Sequence, residues 1–383
     1  MQTLHGYIVD ETKWESKGAN GECNVATKDG KKFFIKRFNA PKYPMSDHFS
    51  GSFKEEQIRK CDTWLRRRND IMRLIPGNGT GTLVKPIAYF RDGPCFYEVA
   101  HMVDITNIPY EEIWRKSTLD KTRIMLTVAM SLADLHQKGI VHGDLDPGNI
   151  LISTAAGGNL ITKLIDFSDS FLVDDPPEII MSKDFWWSPE VAMYTKNAKE
   201  NPNPIREKIT CKIDVFSLGI VFHQYCSKNG RGPICTQPQP WQEFMIGKKP
   251  QVDPEIESEF FKELITSMLA LEPDDRPSMA EVHKKLKDYK IQLEHGRRPI
   301  PNPPPIERER NIHPPIPEPV PVPVNPVNPE YLPGNYINRN GSRIVSVELI
   351  NARKVRVFFS DRTNQVMDLS RALAQGYVEK SKL

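Results

Sequence analysis

The sequence predicts an α+β protein with two lobes, followed by a proline-rich spacer and a small C-terminal domain. Three observations predict this order: strand-like segments fill the first hundred residues, helical segments follow, and 14 of the 33 prolines lie between Pro299 and Pro333. Proline fixes φ and lacks an amide donor, so this last region can join neither a helix interior nor a central strand. We therefore place the boundaries at 1–295, 296–333 and 334–383, with the first lobe at about 1–103 and the second at about 104–295.

The first lobe contains the strand-like segments GYIVD, CNVAT and KKFFIKRF, and the last two flank the turn signal KDG at 28–30. A helix is predicted at about 53–74, because Cys61, Leu65 and Met72 recur near helical spacing. Two further strands are predicted in LVKPIAYF and CFYEVAHMV. Helical segments then follow, namely KTRIMLTVAMSLADLHQKG, IDVFSLGIVFHQYC and EFFKELITSMLALE. A strand-rich lobe followed by a helical lobe is typical of the α+β class.

The composition is that of an ordinary globular protein, with 39% hydrophobic and 26% charged residues. The net charge of +3 is small for this length, so neither a nucleic acid nor a membrane is expected as a partner. No apolar run approaches the roughly 20 residues that span a bilayer, and the N-terminus lacks the pattern of a signal peptide. The six cysteines are scattered without metal-ligand spacing, which favours free thiols in a reducing compartment. We therefore expect a cytoplasmic protein.

Three segments carry the residue types that phosphoryl transfer from ATP requires. Lys36 ends the apolar run FFIK, Asp144 and Asn149 flank the loop DLDPGN, and Asp166 follows the apolar run LITKLI. Such transfer depends on a lysine at the phosphates, acids at a magnesium ion and an acceptor for the attacking hydroxyl's proton. Each pattern alone is weak, but their order and spacing together predict a phosphotransferase site.

Six motifs follow one another across nearly three hundred residues. They are Lys36, HGDLDPGN at 142–149, DFS at 166–168, SPE at 188–190, DVFSLG at 214–219 and DRP at 275–277. After the lysine they resemble, in this order, the HRDLKPxN, DFG, APE, DVWSLG and DRP motifs of eukaryotic-type (Hanks-type) Ser/Thr protein kinase domains. The resemblance covers residues 1 to about 292. It implies a two-lobed protein-kinase-like fold in which Glu190, Asp214 and Arg276 have structural roles, with Arg276 pairing with Glu190.

The resemblance also implies functional roles, residue by residue. Asp144 would accept the substrate hydroxyl's proton or orient the hydroxyl. Asn149 and Asp166 would bind magnesium, with manganese as the alternative metal. Further contacts to ATP are expected from a modified glycine loop and from the hinge that follows the strand CFYEVA, at Gly18, Asn20, Gly21, Val25, His101, Met102 and Val103.

Lys36 is expected to contact the α- and β-phosphates of ATP and to be held by a glutamate of the long helix. Glu55 and Glu56 lie at a suitable separation from Lys36, and we prefer Glu56. Only one of them can face the site, because adjacent helical residues point about 100° apart. The alternative is that both are solvated acids on a charged helix.

The chain departs from the family pattern close to the catalytic loop. Gly143 replaces an arginine that clamps a phosphorylated activation loop, so switching by such phosphorylation is not expected. Asp146 replaces a lysine that contacts the γ-phosphate, and its negative charge is expected to slow transfer unless it faces away. Ser168 replaces the DFG glycine. Together with Ser170 and Ser182, Ser168 is a candidate for autophosphorylation.

The motifs leave alternatives for the acceptor of the phosphoryl group. HGDLxPGN is closer to the loops of aminoglycoside and choline kinases, which phosphorylate small molecules. Those enzymes lack counterparts of SPE, DVFSLG and DRP, which build the helical subdomain that holds a peptide, so a protein substrate is favoured. A small-molecule phosphotransferase and a catalytically weak pseudokinase scaffold are the alternative interpretations.

The C-terminal residues 342–350 and 354–360 alternate apolar and polar positions, which predicts a hairpin. QVMDLSRALAQG predicts a short strand and a short helix ending at Gly376. This pattern resembles a small bacterial domain of unknown function, which implies a bacterial origin and a binding or regulatory role. We interpret the preceding spacer as semi-rigid, with an SH3-like or WW-like partner of its PxxP spacings as the alternative. The identity of the substrate and the oligomeric state are left open.

Overall fold

The computed structural model describes residues 1–16, 21–45, 51–77, 81–103, 107–155, 157–200 and 203–295, together with the strands 344–351, 354–359 and 364–368. The chain forms two compact units, Met1–Pro301 and Asn302–Leu383. The predicted spacer at 296–333 lies outside the described residues, as do Gly18 and Asn20 of the predicted glycine loop. Within the described ranges, no helix combines the length and the apolar character needed to cross a bilayer.

An antiparallel sheet forms the first lobe. Its strands are β1 (Gln2–Leu4), β2 (Tyr7–Val9), β3 (Glu15–Ser16), β4 (Gly21–Lys28), β5 (Lys31–Phe38), β6 (Pro86–Asp92) and β7 (Cys95–His101). They lie in the order β1-β2-β4-β5-β7-β6, with β3 beside β4. The predicted hairpin is β4–β5, and it is closed by Asp29 and Gly30, whose φ angles of 50° and 72° suit a tight Asp-Gly turn. The register places Lys36 directly opposite Glu98 of β7.

Helix α1 (Gly51–Leu74) packs against this sheet, which confirms the helix predicted at about 53–74. One stripe of the helix contacts aromatic residues of the sheet. The cluster comprises Cys61, Trp64, Leu65 and Met72 of the helix and Phe38, Tyr89 and Phe96 of the strands. Most of the stability of such a helix comes from burying this stripe rather than from intrinsic propensity.

The second lobe is mainly helical, as predicted. Its elements are α2 (Thr118–His136), β8 (Ile140–Val141), β9 (Ile150–Thr154), β10 (Leu160–Leu164), β11 (Phe171–Leu172), α3 (Pro189–Lys196), α4 (Lys212–Cys226), α5 (Pro240–Met245), α6 (Glu259–Met268) and α7 (Met279–His295). Helix α4 is buried on nearly all sides, which explains why its sequence has no polar face. Residues of α2, α6 and α7 complete one core around it. Strand β8 pairs with β11, and β9 pairs with β10.

The predicted pair between Arg276 and Glu190 is present and fully buried. The guanidinium makes two parallel hydrogen bonds to the carboxylate, with N–O distances of 2.5 and 2.9 Å. Its remaining donors bind the backbone carbonyls of Ala270, Leu271 and Lys212. Because every charged group is partnered, this arrangement avoids the cost of an isolated buried charge. It fixes the start of α3, the helix that begins immediately after Ser188.

The second unit contains a three-stranded antiparallel sheet. Its strands are β12 (Ile344–Asn351), β13 (Lys354–Phe359) and β14 (Asn364–Asp368), with β13 in the centre. The hairpin predicted across 351–353 is therefore confirmed at the backbone level, as is the following strand. The predicted helix ending at Gly376 lies outside the described residues.

Candidate active site

The loop between β8 and β9 is held in place by Asp214, at the beginning of α4. Its carboxylate accepts hydrogen bonds from the backbone amides of His142 (2.7 Å) and Gly143 (3.0 Å). It also accepts one from Nε2 of His136, at 2.9 Å. Asp214 is almost completely buried. A buried carboxylate with three donors is well compensated, so Asp214 fixes the start of the loop that carries Asp144.

Gly143 has a backbone conformation that a side chain would disturb. Its φ angle is 79°, and a Cβ atom at this position would lie 2.8 Å from the backbone oxygen of Asp169. Both features favour glycine over an L residue. The loop therefore approaches the segment after Asp166 through its backbone, at the position where the family pattern has an arginine side chain.

His142 links the loop to the segment that carries Asp166. Its imidazole Nε2 donates a hydrogen bond to the carbonyl oxygen of Ile165 at 3.1 Å, and its ring lies 5.3 Å from the ring of Phe167. Both side chains are buried. The positions of Asp144 and Asp166 are thus coupled through a packed, hydrogen-bonded residue.

Asn149 and Asp144 lie together at the two ends of the loop. The amide nitrogen of Asn149 donates to the backbone oxygen of Asp144 at 2.6 Å and to its carboxylate Oδ2 at 3.2 Å. These bonds orient the amide, and its oxygen is left as an acceptor for another group. The structure therefore brings together the two loop residues that the sequence predicted to act.

Burial raises the pKa of Asp144 to about 7. The neighbouring carboxylates of Asp169, Asp146 and Asp166 act in the same direction, whereas the ammonium group of Lys183 opposes them. A carboxyl group with this pKa can accept a proton near neutral pH. The surplus of negative charge also favours a cation at this place.

Lys36 forms an ion pair with Asp166. Its ammonium nitrogen lies 3.0 and 3.3 Å from the two carboxylate oxygens and 2.8 Å from Oγ of Ser168. Burial alone would lower the pKa of Lys36, but the charges of Asp166 and Glu98 raise it above its ordinary value. Burial would raise the pKa of Asp166, but Lys36 and the hydroxyl of Ser168 lower it. Both groups are therefore charged in the folded protein.

Ser168 has a local role that the sequence did not indicate. Asp166 has a φ angle of 60°, a left-handed conformation that costs roughly 1–2 kcal/mol for a residue other than glycine. The backbone amide and the hydroxyl of Ser168 both donate to Oδ1 of Asp166, at 3.2 and 2.6 Å. Such local bonds stabilise this backbone conformation. The residue at the position of the family's glycine thus orients the carboxylate of Asp166.

Glu56 is not joined to Lys36 in this structure. It lies on the exposed side of α1 and forms an ion pair with Lys60, one helical turn away, at 2.7 Å. The alternative interpretation was that these glutamates are solvated acids on a charged helix, and the exposed position of Glu56 agrees with it. The contact predicted between α1 and Lys36 is therefore absent from these described residues.

Glu98 is the acid that sequence reasoning missed. It lies opposite Lys36 in the register of β5 and β7, and it is buried. Burial and the charge of Asp166 raise its pKa to about 7, while Lys36 and a hydrogen bond with Tyr89 lower it. The signal available in the sequence was a glutamate at a strand position surrounded by apolar residues, in CFYEVA. Strand pairing was needed to place it beside Lys36.

Helix α1 faces the segment after Asp166 with arginines. The guanidinium of Arg68 lies 3.7 Å from the centroid of the Trp64 ring and 3.8 Å from a carboxylate oxygen of Asp169. The neighbouring Arg67 pairs with Asp175 at 2.6 Å. The helix is therefore connected to residues 169–175 by two ion pairs, of which the one made by Arg68 is the more buried.

Asp146 is paired rather than exposed towards the site. One carboxylate oxygen accepts the backbone amide of Gly148 at 2.5 Å, and the other lies 2.5 Å from the ammonium nitrogen of Lys183. Asp146 is buried, whereas the side chain of Lys183 is 59% exposed. The negative charge that the sequence placed near the transferring group is thus matched by a lysine 37 residues further along the chain.

Of the nucleotide contacts predicted in the glycine loop and the hinge, those that the structure describes lie on β4 and at or just after the end of β7. Gly21 opens β4, and a Cβ atom there would lie only 2.5 Å from the backbone oxygen of Arg37, so the close strand approach requires glycine. Val25 lies on the same strand with an exposed side chain. His101 ends β7 and Met102 follows it, also exposed. Val103, next in the chain, is half-buried.

The three predicted autophosphorylation sites differ in accessibility. Ser168 and Ser170 are buried, and the hydroxyl of Ser170 donates to the backbone oxygen of His142 at 3.0 Å. Ser182 is half-buried, and its hydroxyl accepts a hydrogen bond from the indole of Trp187 at 2.7 Å. Autophosphorylation at these positions stays a prediction.

The donors at the site suit magnesium. Among the described residues, no group of three His, Cys, Asp or Glu side chains is arranged to hold a metal ion by itself. Magnesium in nucleotide sites is usually bound by one or two carboxylates together with phosphate oxygens and water. The carboxylate of Asp166 and the amide oxygen of Asn149 are hard oxygen donors of this kind, next to a surplus of negative charge. The residues present therefore fit the metal.

Comparison with known proteins agrees with this geometry. The family model described as "Protein kinase domain" matches residues 17–286. The chain is 27% identical over 210 residues to the eukaryotic translation initiation factor 2-alpha kinase pek-1 of Caenorhabditis elegans, covering 51% of this chain and 19% of that protein. It is 28% identical over 257 residues to the serine/threonine-protein kinase/endoribonuclease IRE1 of Hypocrea jecorina, covering 55% and 21%. It is 28% identical over 169 residues to the Wee1-like protein kinase 1-B of Xenopus laevis, covering 42% and 27%.

Proposed function

Because the chain belongs to the protein kinase domain family, we propose that it transfers the γ-phosphoryl group of ATP to Ser or Thr hydroxyls of a protein substrate. The observation that carries the proposal is the group of Asp144, Asn149, Lys36 and Asp166, which the fold brings into one site. All four have the side-chain type that the chemistry requires, and the first two are hydrogen-bonded to each other. The relative named as a serine/threonine-protein kinase/endoribonuclease, IRE1 of Hypocrea jecorina, supports the choice of acceptor.

In the proposed reaction, the hydroxyl oxygen of the substrate forms a bond to the γ-phosphorus while the bond to the bridging oxygen breaks and ADP leaves. Asp144 takes the proton from the hydroxyl, for which its pKa of about 7 is suited. Oδ2 of Asp144 is held by Asn149, so Oδ1 is the oxygen left to accept this proton. Magnesium held by Asn149 and Asp166 would neutralise charge on the phosphates. Lys36 has a raised pKa, so it is positively charged and can bind phosphate oxygens.

We also propose that activity does not depend on phosphorylation of the activation segment. Gly143 has no side chain that could bind a phosphate. The backbone oxygen of Asp169 would lie 2.8 Å from a Cβ atom at this position, so there is no space for a side chain. Ion pairs between unmodified side chains connect the segment to its neighbours instead: Arg68 of α1 pairs with Asp169, and Lys183 pairs with Asp146 of the catalytic loop. Protein expressed without any kinase partner and treated with phosphatase should therefore have the same turnover as untreated protein.

The test of the function is transfer of labelled phosphate from Mg-ATP to a generic protein substrate. Asp144→Asn and Asp166→Asn should each lower the rate by at least about 100-fold, because they remove the proton acceptor and a metal ligand. The control is Asp274→Asn, which removes an exposed acid of the second lobe. Equal labelling by the wild type and Asp166→Asn would contradict the proposal. Labelling of sugars or small alcohols alone would favour the small-molecule phosphotransferase instead.

A further inference from the structure

The catalytic loop at 142–149 contains no lysine or arginine. Three further carboxylates, those of Asp146, Asp166 and Asp169, lie close enough to Asp144 to raise its pKa. The transferring phosphoryl group adds further negative charge, which a site must stabilise with cations or donors. Lys36 pairs with Asp166 and Ser168 and is expected at the α- and β-phosphates, so the γ-phosphate still lacks a lysine. The loop itself supplies no lysine, since its corresponding position is Asp146.

Lys183 is the cation that the fold brings to this loop. It belongs to the segment between Asp166 and Glu190, and its ammonium nitrogen lies 2.5 Å from Oδ2 of Asp146. Asp146 is rigidly placed, because it is buried and its other oxygen binds the amide of Gly148. A largely exposed lysine side chain is thus held at its charged end by a buried carboxylate.

The ammonium group retains capacity for a second anion. Lysine has three N–H donors, and Asp146 uses one of them. The lysine side chain is 59% exposed, whereas that of Asp146 is 3% exposed, so the open side of the ion pair is the lysine side.

Lys183 is also close enough to act on the reacting end of the loop. A Cβ atom on Gly148 would lie 3.8 Å from its ammonium nitrogen, and Gly148 precedes Asn149, which binds Asp144. In agreement, the charge of Lys183 lowers the pKa of Asp144. The cation therefore lies beside the residues that hold the substrate hydroxyl and the metal.

We propose that Lys183, held by Asp146, supplies from the activation segment the positive charge that binds the γ-phosphate during transfer. Relative to the family pattern, the loop carries an acid in place of the lysine, and a lysine comes instead from the segment that follows. This inference rests on the proposed kinase function. It also makes the phosphate contact depend on the position of the activation segment without any phosphorylation.

The inference is tested with Lys183→Ala, Lys183→Arg and the double variant Asp146→Lys with Lys183→Ala, which moves the lysine into the loop. The control is Lys208→Ala, since Lys208 is about equally exposed and pairs with Glu272 at 3.0 Å. Turnover of Mg-ATP with a protein substrate gives kcat and KM. Dissociation constants of Mg-ATP and Mg-ADP give the preference for a nucleotide with a γ-phosphate, which does not require turnover. Thermal unfolding checks that each variant is folded.

Lys183→Ala should lower kcat on the order of 100-fold, as for the loss of one charge-stabilising donor, and reduce the preference for Mg-ATP over Mg-ADP. Lys183→Arg should retain most of the activity, and the double variant should recover at least about tenfold of the loss. Lys208→Ala should behave as the wild type. A purely structural tie would give a different pattern, since it would leave the preference for Mg-ATP over Mg-ADP unchanged.

The outcomes separate the inference from the proposed function. If the wild type turns over ATP and Lys183→Ala matches it in kcat and in nucleotide preference, the inference is wrong and the kinase function stands. If Lys183→Ala is impaired but its nucleotide preference is unchanged and the double variant recovers nothing, the inference is also wrong. If the wild type has no turnover but Lys183→Ala loses the preference for Mg-ATP, the kinase function fails and the phosphate contact of Lys183 stands.

Discussion

Glu98 places a carboxyl group inside the sheet of the first lobe, where burial penalises its charged form. Its Oε2 has no hydrogen-bond partner among the described residues, although the neighbouring strands supply Lys36 and Tyr89. The acid in turn helps to raise the pKa of Lys36. A charge that is costly for folding therefore keeps the lysine of the site protonated. Such a conflict between stability and charge placement is typical of functional sites.

Replacing Glu98 by glutamine should stabilise the protein at high pH but not at low pH. The carboxyl group has a pKa of about 7 in the folded state, against 4.5 as its ordinary value. Between these pH values the folded state binds more protons than the unfolded state, so the wild type loses stability as the pH rises. We expect Glu98→Gln to gain about 1–3 kcal/mol relative to the wild type at pH 8, and little at pH 4.5. Urea unfolding in metal-free buffer measures both.

The control for this prediction is Glu257→Gln, which removes an exposed carboxylate from the second lobe. It should leave the difference between the two pH values close to that of the wild type. An equal gain by Glu98→Gln at pH 4.5 and pH 8 would show that packing, and not the buried charge, is responsible.

At the level of elements, helix α1 contributes basic residues to its ion pairs near the site, whereas an acidic residue was expected. These ion pairs connect the helix to the activation segment, the residues between Asp166 and Glu190. The sequence suggested a glutamate of the helix at Lys36, whereas the helix presents Arg68 to Asp169 and Arg67 to Asp175. Arg68 is also packed on the ring of Trp64, which restricts its rotamers. The helix therefore acts on the site through the segment after Asp166 rather than through Lys36.

Arg68→Met should loosen this segment while keeping most of the packing volume on Trp64. Loss of the partly buried pair should make the backbone amides of residues 169–172 exchange roughly tenfold faster, equivalent to about 1.4 kcal/mol of opening free energy. Hydrogen–deuterium exchange of the folded protein measures this. Arg59→Met, at an exposed position of the same helix, should leave these amides unchanged. Unchanged exchange in Arg68→Met would mean that the segment is held by other contacts.

At the level of the whole molecule, the order of strands and helices could be predicted from the sequence. The strand-rich first lobe, the helix at α1 and the helical second lobe follow from periodicity, and the pair of Glu190 with Arg276 was expected from the resemblance to protein kinase domains. The partners of Lys36 and Asp146 on the neighbouring elements could not be predicted. Glu98 is next to Lys36 only because β5 and β7 pair in one register, and Lys183 meets Asp146 across 37 residues that include β9, β10 and β11. Neither pairing leaves a periodic signal, because tertiary packing alone determines which side chains meet.

The pair of Arg276 with Glu190 joins segments 86 residues apart and so concerns the stability of the whole second lobe. Arg276→Met leaves the carboxylate of Glu190 buried without its cation, which should cost about 3–5 kcal/mol in the free energy of unfolding. Arg123→Met is the control, because it breaks an exposed pair with Glu294 and should cost less than about 1 kcal/mol. Urea unfolding of the folded variants compares the two.

The double variant Arg276→Met with Glu190→Leu distinguishes the orphaned charge from the other bonds of the arginine. Removing the carboxylate should recover part of the loss, because no unpaired buried charge remains. Recovery should stay incomplete, since the carbonyl groups of Ala270, Leu271 and Lys212 still lack their donor. A double variant less stable than Arg276→Met alone would contradict the argument from the orphaned charge. Full recovery would instead mean that the three carbonyl groups find other partners, and that the arginine stabilises the lobe only by neutralising Glu190.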